Sequence, residues 1–188
     1  MFRGDLSEAQ LLSYLMHFKQ QIPGVPVSTA ETDGTLLAYP AVIQAVDVLL
    51  VNYHPYWADT SLEQALTWIH ATHQGVVAAA GGKQVIVAET GWPSCGSPVG
   101  AAVPSPTNAN TYFLNFVSWA RAYGVPYFYF SAFDETWKAA TAEGAQGACW
   151  GAFRSDGAMK AGMQSVFDGT TTPPNWLNPA RPRRRSTS

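Results

Sequence analysis

The feature that most constrains the fold is a regular alternation of short apolar segments with helical ones. Strand character is found at residues 25–30, 46–53, 85–88 and 125–133. Helical patterns separate these segments and no hairpin turn joins them, which predicts parallel strands connected by right-handed crossovers. With 188 residues the chain can bury one sizeable core. We therefore expect one α/β domain at residues 1–169 and a Pro/Arg-rich disordered tail at residues 170–188.

The helical segments carry start and stop signals. The run Asp5-Leu6-Ser7-Glu8 fits a capping box, and the helix after it places Leu11, Leu15, Phe18 and Ile22 on one face. Further helices are expected near residues 40–45, from 61 to 80, from 106 to 123 with Gly124 as the cap, and around 159–167.

The charge distribution argues against a nucleic-acid partner. Of the 11 basic residues, four lie in the tail, whereas all 13 acidic residues lie at or before Asp168. The part expected to fold is therefore acidic, which disfavours polyanions. No apolar run approaches the roughly 20 residues of a membrane span, and residues 1–5 lack signal-peptide character. We expect neither nucleic acid nor membrane as a partner.

No pattern in the chain indicates a metal or a cofactor. His70 and His73 are three residues apart on a helix, but no third ligand is near them in sequence, so a solvated helix face is the better interpretation. A Gly-rich phosphate loop and a nucleophile elbow are both missing. Cys95 and Cys149 have no metal spacing, and they can either pair or remain two idle thiols.

Polar side chains follow the strand segments, at the end where parallel sheets and barrels bind their ligands. They are Glu31, Asn52, Tyr53, Glu89 and Glu135. Before Glu89, four small or β-branched residues form an apolar strand, and after it Gly91 and Pro93 turn the backbone beside Trp92. A catalytic acid is presented in this way at the carboxyl end of a buried parallel strand.

The run Glu89-Thr90-Gly91-Trp92-Pro93-Ser94 resembles the nucleophile signature of glycoside hydrolase family 17, the β-1,3-glucanases and related β-glucan transglycosylases. Residues 52–57 and 133–138 are similar to that family's sixth and eighth strand segments. The resemblance extends over about residues 1–168. It implies a (β/α)8 TIM barrel, a retaining mechanism and a β-linked glucan substrate. It also implies a secreted, periplasmic or cell-wall-associated location for a full-length form.

In that family the general acid/base glutamate closes the fourth strand, which in this motif order would precede residue 1. The resemblance therefore implies the C-terminal half of a TIM barrel, with four parallel strands. Four strands cannot close a barrel, so both edges would offer unpaired backbone groups. A separate N-terminal half-barrel, or self-association, is the expected protein partner.

The resemblance also suggests roles for individual residues. Glu89 is the expected nucleophile, and Tyr53 is expected to hydrogen-bond it. Glu31 is expected to bind a sugar hydroxyl or, less readily, to substitute as the acid. Sugar rings stack on indoles, so Trp57, Trp92 and Trp137 are candidate platforms, although Trp92 fits the core equally well. The other expected substrate contacts are Asn52, Tyr53 itself, Tyr56 and the pair Glu135 and Lys138.

Two classes of function follow from this reading. The first is a retaining glycosidase or transglycosylase acting on β-1,3-glucan through a glycosyl-Glu89 intermediate, incomplete because its acid/base half is absent. The alternative is a non-catalytic glucan-binding remnant that keeps the aromatic platform. A bare structural fragment without a ligand is a third possibility.

Overall fold

The computed structural model describes residue 1 and residues 4–174. Most of the expected tail, including the four arginines at 181–185, lies outside the described residues. Within the described part, the Thr172 amide donates a hydrogen bond to Ser118 Oγ at 2.9 Å. The chain therefore still contacts the folded domain beyond residue 169, while the predicted domain boundary remains a prediction.

Three parallel strands form the sheet of the described residues, in the spatial order β1 (Ala30–Thr32), β2 (Leu49–Tyr53) and β3 (Val85–Thr90). The parallel arrangement follows the sequence prediction. The first two strands begin later than predicted.

The segment at 125–133 is not a regular strand, so the structure has three strands where four were expected. It pairs with β3 through one isolated bridge between Val87 and Tyr127 and one further bond, from the Phe130 amide to the Thr90 carbonyl. At the start of the segment Pro126 has no amide to donate to β3. Beyond Phe130 the backbone bonds instead to residues 150–153.

The helices surround the sheet and mostly follow the predicted pattern. Their bounds are α1 (Glu8–Gln21), α2 (Asp33–Ala38), α3 (Pro40–Ala45), α4 (Leu62–Ala79), α5 (Pro106–Tyr123) and α6 (Gln164–Phe167), with 3₁₀ turns at Thr136–Ala140 and Ala145–Ala148. The capping box of α1 uses Ser7 and Gln10 instead of the expected Asp5 and Glu8. The sequence reading missed α2, and α6 is shorter than expected.

The core lies between the sheet and the helices. Along β2, Leu49, Val51 and Tyr53 are fully buried and alternate with partly exposed residues. Tyr53 packs edge-on against Trp68 of α4, so this face of the sheet is directed at the helix layer. On α1 only Leu11 and Leu15 are buried, and Phe18, predicted to face inward, is 53% exposed.

A disulfide between Cys95 and Cys149 joins the loop after β3 to the segment before residue 150, with the Cα atoms 5.6 Å apart. The structure thus decides between the two alternatives for these cysteines. Ser94 donates both its amide and its hydroxyl to the Cys149 carbonyl, at 2.9 and 3.0 Å. The two loops are therefore joined by covalent and hydrogen bonds.

Within the described residues, no helix has both the length and the apolar character that crossing a bilayer requires.

Candidate active site

A β-bulge in β3 sets the direction of the Glu89 side chain. Val51 pairs with Val87, but the next residue of β2, Asn52, pairs with Glu89, so Ala88 is the extra residue of β3. Because side chains alternate across a strand, a regular register would turn Glu89 toward the helix layer together with Tyr53. The bulge instead puts Glu89 on the same face as Asn52, and re-aiming a side chain is a common use of bulges beside active sites.

Glu89 opens into a cavity of about 520 Å³, which we call the Glu89 cavity. The Glu89 side chain is 41% exposed, so a ligand can reach its carboxylate. The cavity is lined by Met1, Asp5, Ala30, Glu31, Thr32, Asn52, Glu89, Phe130, Lys138 and Glu143. Four lining residues carry carboxylates, whereas the cations are the Lys138 ammonium and the Met1 amino group, so the cavity favours neutral, hydroxyl-rich ligands over anions.

Glu31 and Lys138 both line this cavity, and each is held by an ion pair. The Glu31 carboxylate is buried and accepts a hydrogen bond at 2.7 Å from the Met1 amino group. Lys138 pairs with Glu135 at 2.6 Å, and its Nζ lies 4.6 Å from the centre of the Phe130 ring. The expected Glu135 and Lys138 pair is therefore formed, and Lys138 is the member that lines the cavity.

His54, which follows β2 directly, contacts Glu89. Its Nε2 lies 3.2 Å from Glu89 Oε2, and its ring packs edge-on against Phe130 and Trp150. The sequence reading treated His54 as part of a motif and assigned it no role. Its place one residue after a strand end was the signal that would have identified it.

A second, more apolar cavity of about 530 Å³ adjoins the first. It is lined by Thr32, Asp33, Asn52, His54, Trp57, Ala58 and Trp68, and it shares Thr32 and Asn52 with the Glu89 cavity. Trp57 is 42% exposed, so its indole is available to a ligand. Burial raises the pKa of Asp33 against two backbone hydrogen bonds that lower it.

Three residues predicted to bind substrate are inaccessible. Tyr53 does not bond Glu89: it pairs with Thr90, and its hydroxyl contacts His73 Nδ1 on α4 at 3.2 Å. Tyr56 has no exposed surface and donates to the Ser97 carbonyl at 2.5 Å. Trp92 is 1% exposed and donates to the Val103 carbonyl. All three pack the layer behind the site, since alternation and the loop path turn them away from the cavities.

Trp137 is also accessible: it is 63% exposed and lies beside Lys138, which lines the Glu89 cavity, in the 3₁₀ turn. Trp137 and Trp57 therefore remain candidate platforms for sugar rings. Trp150, which was not predicted, is buried behind the site and packs against Trp57 and His54.

Gly91 explains the close packing behind Glu89. A Cβ at this position would lie 1.9 Å from the Phe130 carbonyl oxygen and 3.1 Å from Trp150 Cε3. The glycine therefore lets the 130 and 150 segments approach the end of β3. These two segments supply the rings that hold His54.

The two helical histidines have no metal-binding arrangement. His70 Nδ1 accepts a hydrogen bond from Trp119 Nε1 at 3.2 Å, while His73 Nδ1 contacts Tyr53. Burial lowers the pKa of His73, and His70 lowers it further. In the part of the chain that the structure describes, no cluster of three or more potential ligand side chains is present.

Comparison with known proteins identifies the family. A family model described as the BtgE/BtgC glycoside hydrolase domain matches residues 1–151. The chain is 29% identical over 150 residues to the probable glucan endo-1,3-beta-glucosidase btgC of Aspergillus terreus, covering 70% of this chain and 23% of that protein. Over 188 residues it is 29% identical to the glucan 1,3-beta-glucosidase BGL2 of Candida albicans, covering 89% of this chain and 61% of that protein.

Solved structures agree with these relatives. A glycoside hydrolase family 17 beta-1,3-glucanosyltransferase from Rhizomucor miehei matches with a TM-score of 0.78 and 30% identity, covering 86% of this chain and 59% of that one. An active-site mutant of that enzyme, in complex with laminaritriose, matches with a TM-score of 0.79. The chain thus spans 61% or less of each of these relatives.

The likeness supports the TIM-barrel-like fold that the motifs implied. The chain belongs to the BtgE/BtgC glycoside hydrolase domain family, within glycoside hydrolase family 17.

Proposed function

We propose that this chain carries the nucleophile of a retaining glycoside hydrolase or transglycosylase that acts on β-1,3-glucan. The observation that carries the proposal is Glu89, a partly exposed carboxylate that a bulge turns into an open polar cavity. The relatives support the substrate class, because they are named as glucan glucosidases and one related enzyme is described with laminaritriose.

In the proposed reaction a Glu89 oxygen forms a bond to the anomeric carbon of a glucosyl unit as the bond to the departing oxygen breaks. The departing oxygen takes up a proton, and a glycosyl ester remains on Glu89. Attack of water on the anomeric carbon then restores the carboxylate, which is hydrolysis. Attack of a sugar hydroxyl in place of water gives transfer. Trp57 and Trp137 are the proposed sugar platforms.

A retaining enzyme needs a second carboxyl group roughly 5 to 5.5 Å from the first. Among the described residues, Glu31 is the other strand carboxylate that lines the Glu89 cavity. In the sheet register, however, Thr32 and not Glu31 shares a face with Asn52 and Glu89. Two strand spacings, about 10 Å, also separate β1 from β3.

Asp5 and Glu143 line the cavity from irregular segments, which position a catalytic group less rigidly than a strand does. We therefore propose that the acid/base group lies outside these 188 residues, in a longer polypeptide or in a separate partner chain.

The edges of the sheet support an assembly of this kind. β1 is an edge strand, and the partly paired 126–130 segment lies at the opposite edge. Phe18 and Val25, which precede β1, are 53% and 56% exposed, and Phe128 is 66% exposed. A further half-barrel or a second copy of the chain would cover these groups. A clean monomer in sedimentation at micromolar concentration would count against this assembly.

The test of function uses an aryl β-glucoside with an electron-withdrawing ring, because its leaving group departs without a proton. The purified chain is expected to release the phenolate, and Glu89→Gln should abolish release, since an amide is a poor nucleophile. Glu63→Gln, at an exposed position of α4, is the matched control and should react like the unsubstituted chain.

On laminari-oligosaccharides the isolated chain is expected to be roughly 10²- to 10⁴-fold slower than a form extended by the acid/base half, the usual worth of general acid catalysis. Phenolate release by Glu89→Gln at the full rate would refute the assignment of Glu89 as the nucleophile. Quenching of tryptophan fluorescence by laminari-oligosaccharides without any release would instead support the alternative, a glucan-binding protein without turnover.

A further inference from the structure

We propose that His54 is a positioning residue for the Glu89 carboxylate, and that its surroundings fix it in one tautomer. The functional part of this inference rests on the role proposed for Glu89, whereas the contact does not. His54 Nε2 lies 3.2 Å from Glu89 Oε2. Among the described residues this is the one hydrogen bond made by the Glu89 side chain.

Two aromatic rings hold the imidazole in place. The ring centre of His54 lies 5.4 Å from that of Trp150 and 5.8 Å from that of Phe130, at interplanar angles of 83° and 85°. Both contacts have the edge-to-face geometry that aromatic pairs prefer. The side chain is 17% exposed, so the imidazole has little room to rotate away from Glu89.

The other ring nitrogen determines where the proton resides. His54 Nδ1 is buried and has no hydrogen-bond partner among the described residues. An N–H at this atom would be a buried donor without an acceptor, whereas a proton on Nε2 can be donated to the Glu89 carboxylate. The geometry therefore favours the Nε2–H tautomer.

This arrangement separates the roles of the two carboxylate oxygens. The last torsion of a glutamate is soft, so one hydrogen bond is enough to select its orientation. With Oε2 held by His54, Oε1 remains available to attack a sugar. The two cations that line the Glu89 cavity have other partners, because Lys138 is paired with Glu135 at 2.6 Å and the Met1 amino group with Glu31 at 2.7 Å.

The tautomer can be measured without any activity, by long-range ¹H–¹⁵N correlation spectra of the chain labelled at its four histidines. His54→Phe assigns the His54 signals. We expect the Nε2–H pattern for His54, and a clear shift of its Nε2 resonance in Glu89→Leu, which removes the acceptor. An Nδ1–H pattern, or an unchanged Nε2 resonance in Glu89→Leu, would overturn the assignment.

The positioning role is tested by phenolate release from the activated aryl β-glucoside. His54→Phe keeps a ring in the aromatic cage but lacks the donor, and it should react roughly 10- to 100-fold more slowly, the usual range for a misplaced reacting group. His54→Gln restores an N–H and should recover most of the rate. His17→Phe, at an exposed position of α1, should have no effect.

If the role of His54 were purely structural, both variants would have a lower melting temperature, and His54→Gln and His54→Phe would release phenolate at the same rate. Equal rates for these two variants would therefore refute positioning. If the unsubstituted chain releases no phenolate, the proposed function fails, and the spectra still decide the His54 contact independently.

Discussion

Loss of the Cys95–Cys149 disulfide is expected to destabilise the chain mainly through its unfolded state. The two residues are 54 positions apart in sequence. In the chain-entropy description, a cross-link that closes a loop of this length removes conformational entropy from the unfolded chain and raises its free energy by about 4 kcal/mol. We therefore expect a loss of about 4 kcal/mol in the free energy of unfolding when the bond is removed.

The folded state should change little. Both Ser94 hydrogen bonds to the Cys149 carbonyl remain in a variant with serine at the two cysteine positions, and Lys160 Nζ donates to the same carbonyl at 3.2 Å. Trp150, next to Cys149, is 3% exposed and is anchored by the core. The environment of the tryptophans should therefore be preserved.

The assay is urea unfolding of the oxidised chain, the reduced chain and the variant Cys95→Ser/Cys149→Ser, followed by tryptophan fluorescence. The reduced chain and the variant should agree, and both should show a steeper urea dependence, because an open chain exposes more surface on unfolding. A loss below about 1 kcal/mol would refute the loop-entropy reasoning. A shifted tryptophan emission maximum of the folded variant would show that the bond shapes the native state instead.

Three further perturbations have expected outcomes. Gly91→Ala should destabilise the chain by roughly 1 to 3 kcal/mol, the usual cost of overpacking, because its Cβ meets the Phe130 carbonyl. Gly75→Ala in α4 is the control and should not destabilise the chain, since no atom lies within 4 Å of the added Cβ. Urea unfolding of both variants measures the difference. Lys160→Met leaves the Asp134 carboxylate without its cation and should lower the free energy of unfolding by roughly 3 to 5 kcal/mol, since the 2.6 Å ion pair of Lys160 and Asp134 is largely buried. Adding Asp134→Asn removes the unpaired charge and should recover part of this loss. A double variant no more stable than Lys160→Met would contradict this explanation. Because burial lowers the pKa of His73, the unfolded chain binds a proton more readily than the folded one, and stability should fall as pH drops below about 6.5. The decline between pH 7.5 and 5.5 should be smaller in His73→Gln. An equal decline in that variant would show that His73 is not its source.

The sequence predicted the parallel order of the strands and the position of Glu89 at a strand end, because both depend on local patterns. It did not predict the direction of the Glu89 side chain. The bulge at Ala88 is one inserted residue without a compositional signal, and strict alternation would have sent Glu89 to the opposite face. For the same reason the predicted hydrogen bond between Tyr53 and Glu89 is wrong: the Tyr53 hydroxyl contacts His73 on α4.

Contacts between distant segments account for the other differences. Residues beyond Phe130 bond to the segment at 150–153 instead of continuing beside β3, and no local pattern encodes this choice. Trp57, Trp92 and Trp137 look alike in sequence, since each follows a strand segment. Whether an indole ends exposed or buried depends on the loop around it, and only Trp92 is enclosed.

Covalent trapping shows whether Glu89 forms the bond to sugar. A 2-deoxy-2-fluoro-glucoside with a dinitrophenolate leaving group glycosylates a nucleophile without acid help and leaves an ester that turns over slowly. We expect the intact mass of the chain to rise by one fluoroglucosyl unit, which peptide mapping should place on Glu89. A mass unchanged after prolonged incubation, or a label on Glu31 or any other residue, would contradict the account.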